Sequence, residues 1–347
     1  LVATSGDTGK AALEGFKDAD GIKIMVFYPS DGVSKMQKLQ MATQEGSNVN
    51  VLAVRGNFDE CQSAVKKIFT SEQCKAELKE KGYILSSANS INFGRLAPQI
   101  AYYFSAYLDL VSSGQIETGE PVNFAVPTGN FGNILAAYYA KRMGLPVGKL
   151  ICASNKNNVL TDFVRTGVYD RRREFFKTMS PSMDILISSN LERLLFELSG
   201  REPQRVKLRM DKLASEGVYE LYDEEREKVQ ELFWADFCGE DETVGAIYEF
   251  FEEYQYPMDT HTACAMYAAS NYIAQHEKDA APMVVVSTAS PYKFPQDVMY
   301  AVTGNDIKDS FKAIKHLNIA TAMKVPKSLS KLRDKPVRFK ETADKEN

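Results

Sequence analysis

Residues 128–133 read Thr-Gly-Asn-Phe-Gly-Asn, directly after the apolar run Val122–Val126 and directly before a helical pattern that starts near Ile134. A glycine-rich turn at a helix N-terminus offers unpaired backbone N–H groups and the positive end of the helix dipole. That combination suits an anion, a phosphate above all, without any basic side chain. The spacing is neither that of a dinucleotide loop nor that of a Walker loop. Read alone, the motif is equally an ordinary strand–helix turn. A second loop, Ser5-Gly6-Asp7-Thr8-Gly9, precedes a helical stretch at Lys10–Phe16 and offers hydroxyls and backbone donors to a carboxylate or phosphate. Its bland reading is a helix cap by Asp7 or Thr8. A third, Ser287-Thr288-Ala289-Ser290, ends the apolar run Met283–Ser287. A hydroxyl there can hydrogen-bond an aromatic ring nitrogen while leaving it largely unprotonated, or simply close a strand-end turn. A fourth, Asn89–Arg95 (NSINFGR), carries Arg95, which can clamp a phosphate bidentately or make a surface salt bridge. Lys35 and Gln37 lie in an earlier segment, DGVSKMQ.

These loops need strands that end, and helices that begin, where they lie. Candidate strands are Ile22–Tyr28, Val49–Val54, Tyr83–Ser86, Val122–Val126 and Leu150–Ala153, each rich in branched or aromatic residues and closed by Gly, Pro, Asn or Ser. Helical patterns fall between them at Val33–Gln44, Glu60–Lys81, Ile91–Val111 and Ile134–Met143, with Asp59 as a cap for the second. Such alternation predicts βαβ units and parallel sheets, an α/β fold. Residues 156–280 read as mostly helical and polar, with solvated charge runs at Arg171–Glu174 and Asp223–Lys228. A basic tail from Lys324 reads as exposed. His261, in DTHTACA, reads as a capping or packing residue, and Tyr102, Tyr103, Phe104 and Tyr107 as core.

With 347 residues, 44% hydrophobic and 25% charged, the chain has the composition of a globular protein of one or two domains. A net charge of −4 leaves no electrostatic footprint for nucleic acid or anionic membrane. The longest apolar runs, such as Met283–Val286, are too short to span a bilayer. LVATSGDTGK lacks the charged start and apolar core of a signal peptide, and the dispersed cysteines read as the reduced thiols of a cytoplasmic protein. Five dispersed cysteines and three dispersed histidines predict neither a disulfide framework nor a metal site. Leu1–Ala3 reads as the end of a strand already under way, so the N-terminus reads as cut.

Together the motifs resemble the threonine synthases, of the fold-type II (tryptophan-synthase-like) family of pyridoxal-phosphate enzymes. The resemblance runs from SGDTG through STASPYKF at 287–294. It includes NKNNVLTDF (155–163), TMSPSMDI (178–185) and SSNLERLLF (188–196), and the long helical region separates the chain from cysteine synthases. It implies pyridoxal 5'-phosphate held at its phosphate by Gly129, Asn130, Phe131, Gly132 and Asn133, with Thr288 facing the pyridine nitrogen. Ser5, Gly6, Asp7 and Thr8 would meet the amino-acid part of the substrate. Asn92, Arg95 and Lys35 would hold its phosphate. The implied reaction converts O-phospho-L-homoserine and water to L-threonine and phosphate, in a monomer or homodimer. A phospho-lyase giving 2-oxobutyrate, and a non-catalytic binder of a phosphorylated ligand, are the alternatives. The resemblance also implies that the Schiff-base lysine lies before SGDTG. No residue here matches it: Phe16-Lys17-Asp18 falls after the loop, and Lys10 and Lys293 are poorly placed. This chain alone is therefore expected to be inactive, its sheet incomplete and apolar surface exposed. Residues 1–100 are expected to form a smaller, mobile, substrate-side domain, and 101–347 a larger cofactor domain with a helical insertion at about 156–280.

Overall fold

The structure, a computed structural model, describes residues 1–4, 6–30 and 32–344. It divides into two compact units: Leu1–Asn92 together with Tyr292–Asn347, and Phe93–Pro291.

The second unit is built on a parallel sheet ordered β8 (Phe233–Phe237), β5 (Val147–Ser154), β4 (Val122–Pro127) and β9 (Met283–Val285). β4 is buried at every position, as a central parallel strand covered on both faces must be. One face carries a large core in which Phe124, Val126, Ile134, Leu135, Leu150 and Phe163 meet. It is covered by the helices Phe93–Ser112, Gly132–Arg142 and Val159–Thr166. The other face takes the helix Thr260–Gln275, whose Ala265, Ala268 and Ala269 let its backbone lie close to Ala125, Ile151 and Ala153. A separate antiparallel ribbon pairs β6 (Val168–Asp170) with β7 (Val218–Glu220) and stacks Tyr169 on Tyr219.

The first unit holds a parallel sheet ordered β1 (Val2–Ala3), β2 (Ile24–Pro29), β3 (Val49–Arg55) and β10 (Thr342–Asp344). Buried Asn89 accepts from Ala3 N–H (2.9 Å) and donates to the Ala3 carbonyl, so its side chain extends the ladder on the edge of β1 away from β2, where no strand among the described residues pairs.

Several expectations are corrected. Tyr83–Ser86 is not a strand; Ile84 is almost wholly exposed, which gives those apolar residues nothing to bury against. The helical stretch expected at Glu60–Lys81 is two helices, Phe58–Thr70 and Glu72–Glu80, divided at Ser71, which caps the second through Cys74 N–H. Asn57, not Asp59, caps the first, in a reciprocal box with Glu60. The region read as helical contains β8, which directly follows the helix Asp223–Leu232. Tyr103 and Tyr107 are core, whereas Tyr102 points outward. The compact units also differ from the expected division: residues from Tyr292 onward go with the first unit. There β10 pairs with β3, and Arg338 donates to the carbonyls of Gln44 (2.6 Å) and Gly46 (3.0 Å), so the tail is exposed but anchored. Among the described residues no helix is long and apolar enough to cross a membrane.

Candidate active site

The loop after β4 is shaped by its carbonyls. Ser188 Oγ donates to the Gly129 carbonyl (2.8 Å). The Asn130 carbonyl accepts both Asn190 N–H (3.1 Å) and Asn190 Nδ2 (3.0 Å). The chain has no cis peptide among its described residues. In a trans peptide the C=O and the following N–H point opposite ways. Pinning these two carbonyls toward 188–190 therefore turns the N–H groups of Asn130 and Phe131 to the other side. Phe131 then takes a left-handed conformation (φ 60°) and begins the helix Gly132–Arg142, whose N-terminus no side chain caps. A phenylalanine in that conformation costs on the order of 1–3 kcal/mol. Its buried ring, packed against Phe233 at 5.7 Å between centroids, offsets the strain. Asn133 is held by Tyr103, whose hydroxyl reaches both its side-chain oxygen (2.8 Å) and its carbonyl (3.0 Å).

Gly129 is required by space. A Cβ there would lie 2.7 Å from the Ser182 carbonyl oxygen. Ser182 belongs to a segment fixed from beneath. Asp184 accepts from Asn155 Nδ2 (2.8 Å), Asn157 Nδ2 (3.1 Å), Thr178 N–H (3.0 Å) and Thr178 Oγ1 (2.7 Å). Burial pushes the Asp184 carboxyl up, against the pull of those donors. His261 Nε2 accepts the Ser182 N–H (3.1 Å), and His261 Nδ1 lies 3.0 Å from Asp259 Oδ1. Burial alone would raise Asp259; the hydrogen bonds from His261 and Thr262 outweigh it and leave the carboxyl lowered. Ser188, Asn190, Ser182, Asp184 and Asp259 were not singled out from the sequence as site residues. The first four lie in the segments 178–185 and 188–196, which carry the resemblance without an assigned role; Asp259 lies in neither and opens DTHTACA, where only His261 stands out. Buried Ser154 Oγ, at the carboxyl end of β5 beside this loop's strand, has no protein partner.

Thr288 is exposed just beyond β9. Its neighbour Ser287 meets Thr262 Oγ1 at 3.4 Å and lines a cavity of about 370 Å3 walled by Phe250, Tyr254, Tyr256, Met258 and Val285.

In the first unit, Ser5 lies outside the described residues. Gly6 is the N-cap of the helix Asp7–Gly15, with φ 137° and no side chain of its own to cap it, so neither Asp7 nor Thr8 has that role. Thr4 Oγ1 accepts the N–H groups of Gly6 (2.9 Å) and Gly9 (2.8 Å) and so folds the loop. Asp7 Oδ1 is taken by Lys293 Nζ (2.7 Å) and Gln37 Nε2 (3.1 Å), and Ser34 Oγ donates to the Lys293 carbonyl (2.9 Å). The structure thus joins three of the sequence motifs, SGDTG, SKMQ and STASPYK, through Asp7, Gln37 and Lys293. Lys35 starts the helix Lys35–Ala42 and is exposed. Asn92, also exposed, donates to the Ser87 carbonyl (2.8 Å). Arg95 lies near the start of the second unit, and burial lowers its guanidinium from the ordinary value. Lys10 pairs with Glu14 and Lys17 with Glu45.

The loop's donor set, backbone N–H groups turned one way at an uncapped helix end with no cation needed, fits the phosphate of a cofactor. Residues 1–232 match a family profile described as "Pyridoxal-phosphate dependent enzyme", and residues 262–347 one described as "Threonine synthase, C-terminal". The chain aligns with the PLP-bound threonine synthase of Brucella melitensis at a TM-score of 0.80 and 37% identity, covering 99% of this chain and 67% of that one. With the yeast threonine synthase the values are 0.83 and 32%, covering 99% and 66%. The human protein named threonine synthase-like 1 is 45% identical over 317 residues, 89% of this chain and 42% of its own length. The threonine synthase of Pseudomonas aeruginosa is 40% identical over 305 residues, 87% of this chain and 61% of its own. The fold is that of a fold-type II pyridoxal-phosphate enzyme, and the cofactor is pyridoxal 5'-phosphate. Within that class, the chain belongs to the threonine synthase family. It spans between about two-fifths and two-thirds of the length of these relatives.

Proposed function

We propose that the protein containing this chain converts O-phospho-L-homoserine and water to L-threonine and phosphate. The observation that carries the reading is the loop Thr128–Asn133. Its carbonyls are tied back by Ser188 and Asn190, in a chain 37% identical to a PLP-bound threonine synthase. In this reading Gly129, Asn130, Phe131, Gly132 and Asn133 hold the cofactor phosphate, and Thr288 faces the ring nitrogen. When bound, the cofactor supplies an electron sink for charge developing at the α and β carbons of the substrate. The chain's own residues bind and orient. Thr8, with Ser5, offers donors to the substrate carboxylate, and Gly6, its N–H taken by Thr4 Oγ1, shapes the loop that meets the amino-acid part. Asn92, Arg95 and Lys35 take the leaving phosphate, whose developing charge they stabilise. Asp7, held by Lys293 and Gln37, shapes the loop and does not move a proton. Lys10, Lys17 and Lys293 are each engaged in an ion pair, which supports assigning the cofactor lysine to none of them.

A second reading is favoured by one observation: relatives named threonine synthase-like share 45% identity, and those named threonine synthase 35–40%. A phospho-lyase on the same substrate would, with water, release phosphate and ammonia and give 2-oxobutyrate. The test supplies phosphohomoserine and cofactor to the full-length protein and measures phosphate, threonine and 2-oxobutyrate. Phosphate with threonine supports the first reading, phosphate with 2-oxobutyrate the second. No phosphate release refutes both.

A further inference from the structure

We propose that His261, oriented by Asp259, is a positioning residue for the phosphate loop, acting through the backbone of Ser182; the proposal rests on the reading that Thr128–Asn133 receives the cofactor phosphate. Both side chains are buried, His261 at 3% exposure and Asp259 at 0%. A carboxylate only accepts, so the 3.0 Å contact to Asp259 Oδ1 puts the imidazole proton on Nδ1. Nε2 then carries the lone pair, and it faces the Ser182 N–H at 3.1 Å. One tautomer of a neutral imidazole satisfies both contacts, and Asp259 selects it.

The held amide sits on the residue that supports the loop. The Ser182 carbonyl is the surface against which Gly129 rests, so close that a methyl group would not fit between them. Thr260, beside His261 on the same helix end, donates to the Met179 carbonyl (2.7 Å). The N-terminus of the helix Thr260–Gln275 therefore grips the 179–182 segment twice, and that segment sets the height of Gly129. With both ring nitrogens engaged and the ring buried, His261 is placed to orient and not to transfer protons with substrate.

The test compares affinities of the full-length protein for pyridoxal 5'-phosphate and for pyridoxal, which lacks the phosphate, by equilibrium dialysis. Their ratio reports the phosphate loop alone. His261→Gln reaches Ser182 with an acceptor, His261→Asn reaches only Asp259, and His261→Leu reaches neither. The expected result is a ratio reduced on the order of tenfold or more in the Asn and Leu variants, as for loss of a buried acceptor, and restored by Gln. Pyridoxal affinity stays at the wild-type value throughout. A ratio unchanged in the Asn variant would overturn the proposal and leave His261 a packing residue, and the Asn variant keeps this decidable even if Leu unfolds the protein. A wild-type ratio near one would instead remove the loop reading itself.

Discussion

Gly129 shows how narrowly a residue type can be set by its neighbours. Its conformation is open to any residue; the space is not, because the Ser182 carbonyl occupies the position of a side chain. Gly129→Ala must push either the loop or the 179–182 segment away, and overpacking of this kind costs about 1–3 kcal/mol. Chemical denaturation should read that loss, and the ratio of pyridoxal-phosphate to pyridoxal affinity should fall with it. A variant with wild-type stability and wild-type ratio would mean that the close approach is not functional. The glycine was legible in the sequence as part of an anion loop. The reason it must be glycine was not, because Ser182 lies more than fifty residues away along the chain. The same holds for Asp7. As a first-turn acid after a glycine it reads as a cap, yet its partner is Lys293, at the far end of the chain. Short-range rules see the loop and not the groups that fold against it.

At the scale of elements, the helix Thr260–Gln275 illustrates both what composition reveals and what it hides. Its run of alanines marks a helix that packs closely, and it lies on β4 and β5. Its N-terminus is capped by Asp259, which accepts the N–H groups of His261 and Thr262 and is lowered in the fold. A carboxyl lowered in the folded state stabilises fully above its unfolded value, about 4, and that contribution is lost as pH falls through the folded value. Asp259→Ala should therefore cost about 2 kcal/mol at pH 7, the scale of a lost cap plus a buried hydrogen bond. The difference from wild type should shrink at pH 3. Urea denaturation at the two pH values measures it, and a difference independent of pH would show that the carboxylate is not the source. Asp184 has the opposite sign. Raised by burial, it favours the fold below its unfolded value and loses that contribution as pH rises through its folded one. The central strands were read from sequence because they are continuous branched and aromatic runs bounded by turn residues. β8 was not: Phe-Trp-Ala-Asp-Phe follows a charged helix without a Gly or Pro between them, so neither periodicity nor punctuation marks the change.

On the scale of the whole molecule, the two units differ in how the chain builds them. Phe93–Pro291 is one continuous stretch with a sheet covered on both faces by its own helices. Expressed alone, residues 93–291 should fold and melt cooperatively by circular dichroism. Residues 1–92 alone should not, since β10, Lys293 and Arg338, which complete that unit, come from after residue 291. A cooperative melt of 1–92 would overturn this. The α/β class was legible throughout, because strand–helix alternation survives in both units. The return of the C-terminus was not, because β10 is a three-residue edge strand in a charged tail whose pairing depends on a surface formed hundreds of residues earlier.

That return has a consequence for how the protein is made. A ribosome adds roughly 5–20 residues each second, and domains tend to fold as they emerge. About 200 residues separate the two halves of the first unit. Its leading half therefore waits on the order of 10–40 s, with β3 lacking its neighbour, while the whole second unit is translated and free to fold. For that interval the nascent chain exposes an open strand edge and an unfinished core, the kind of surface that molecular chaperones recognise. The stretch from Tyr292 onward ends the wait.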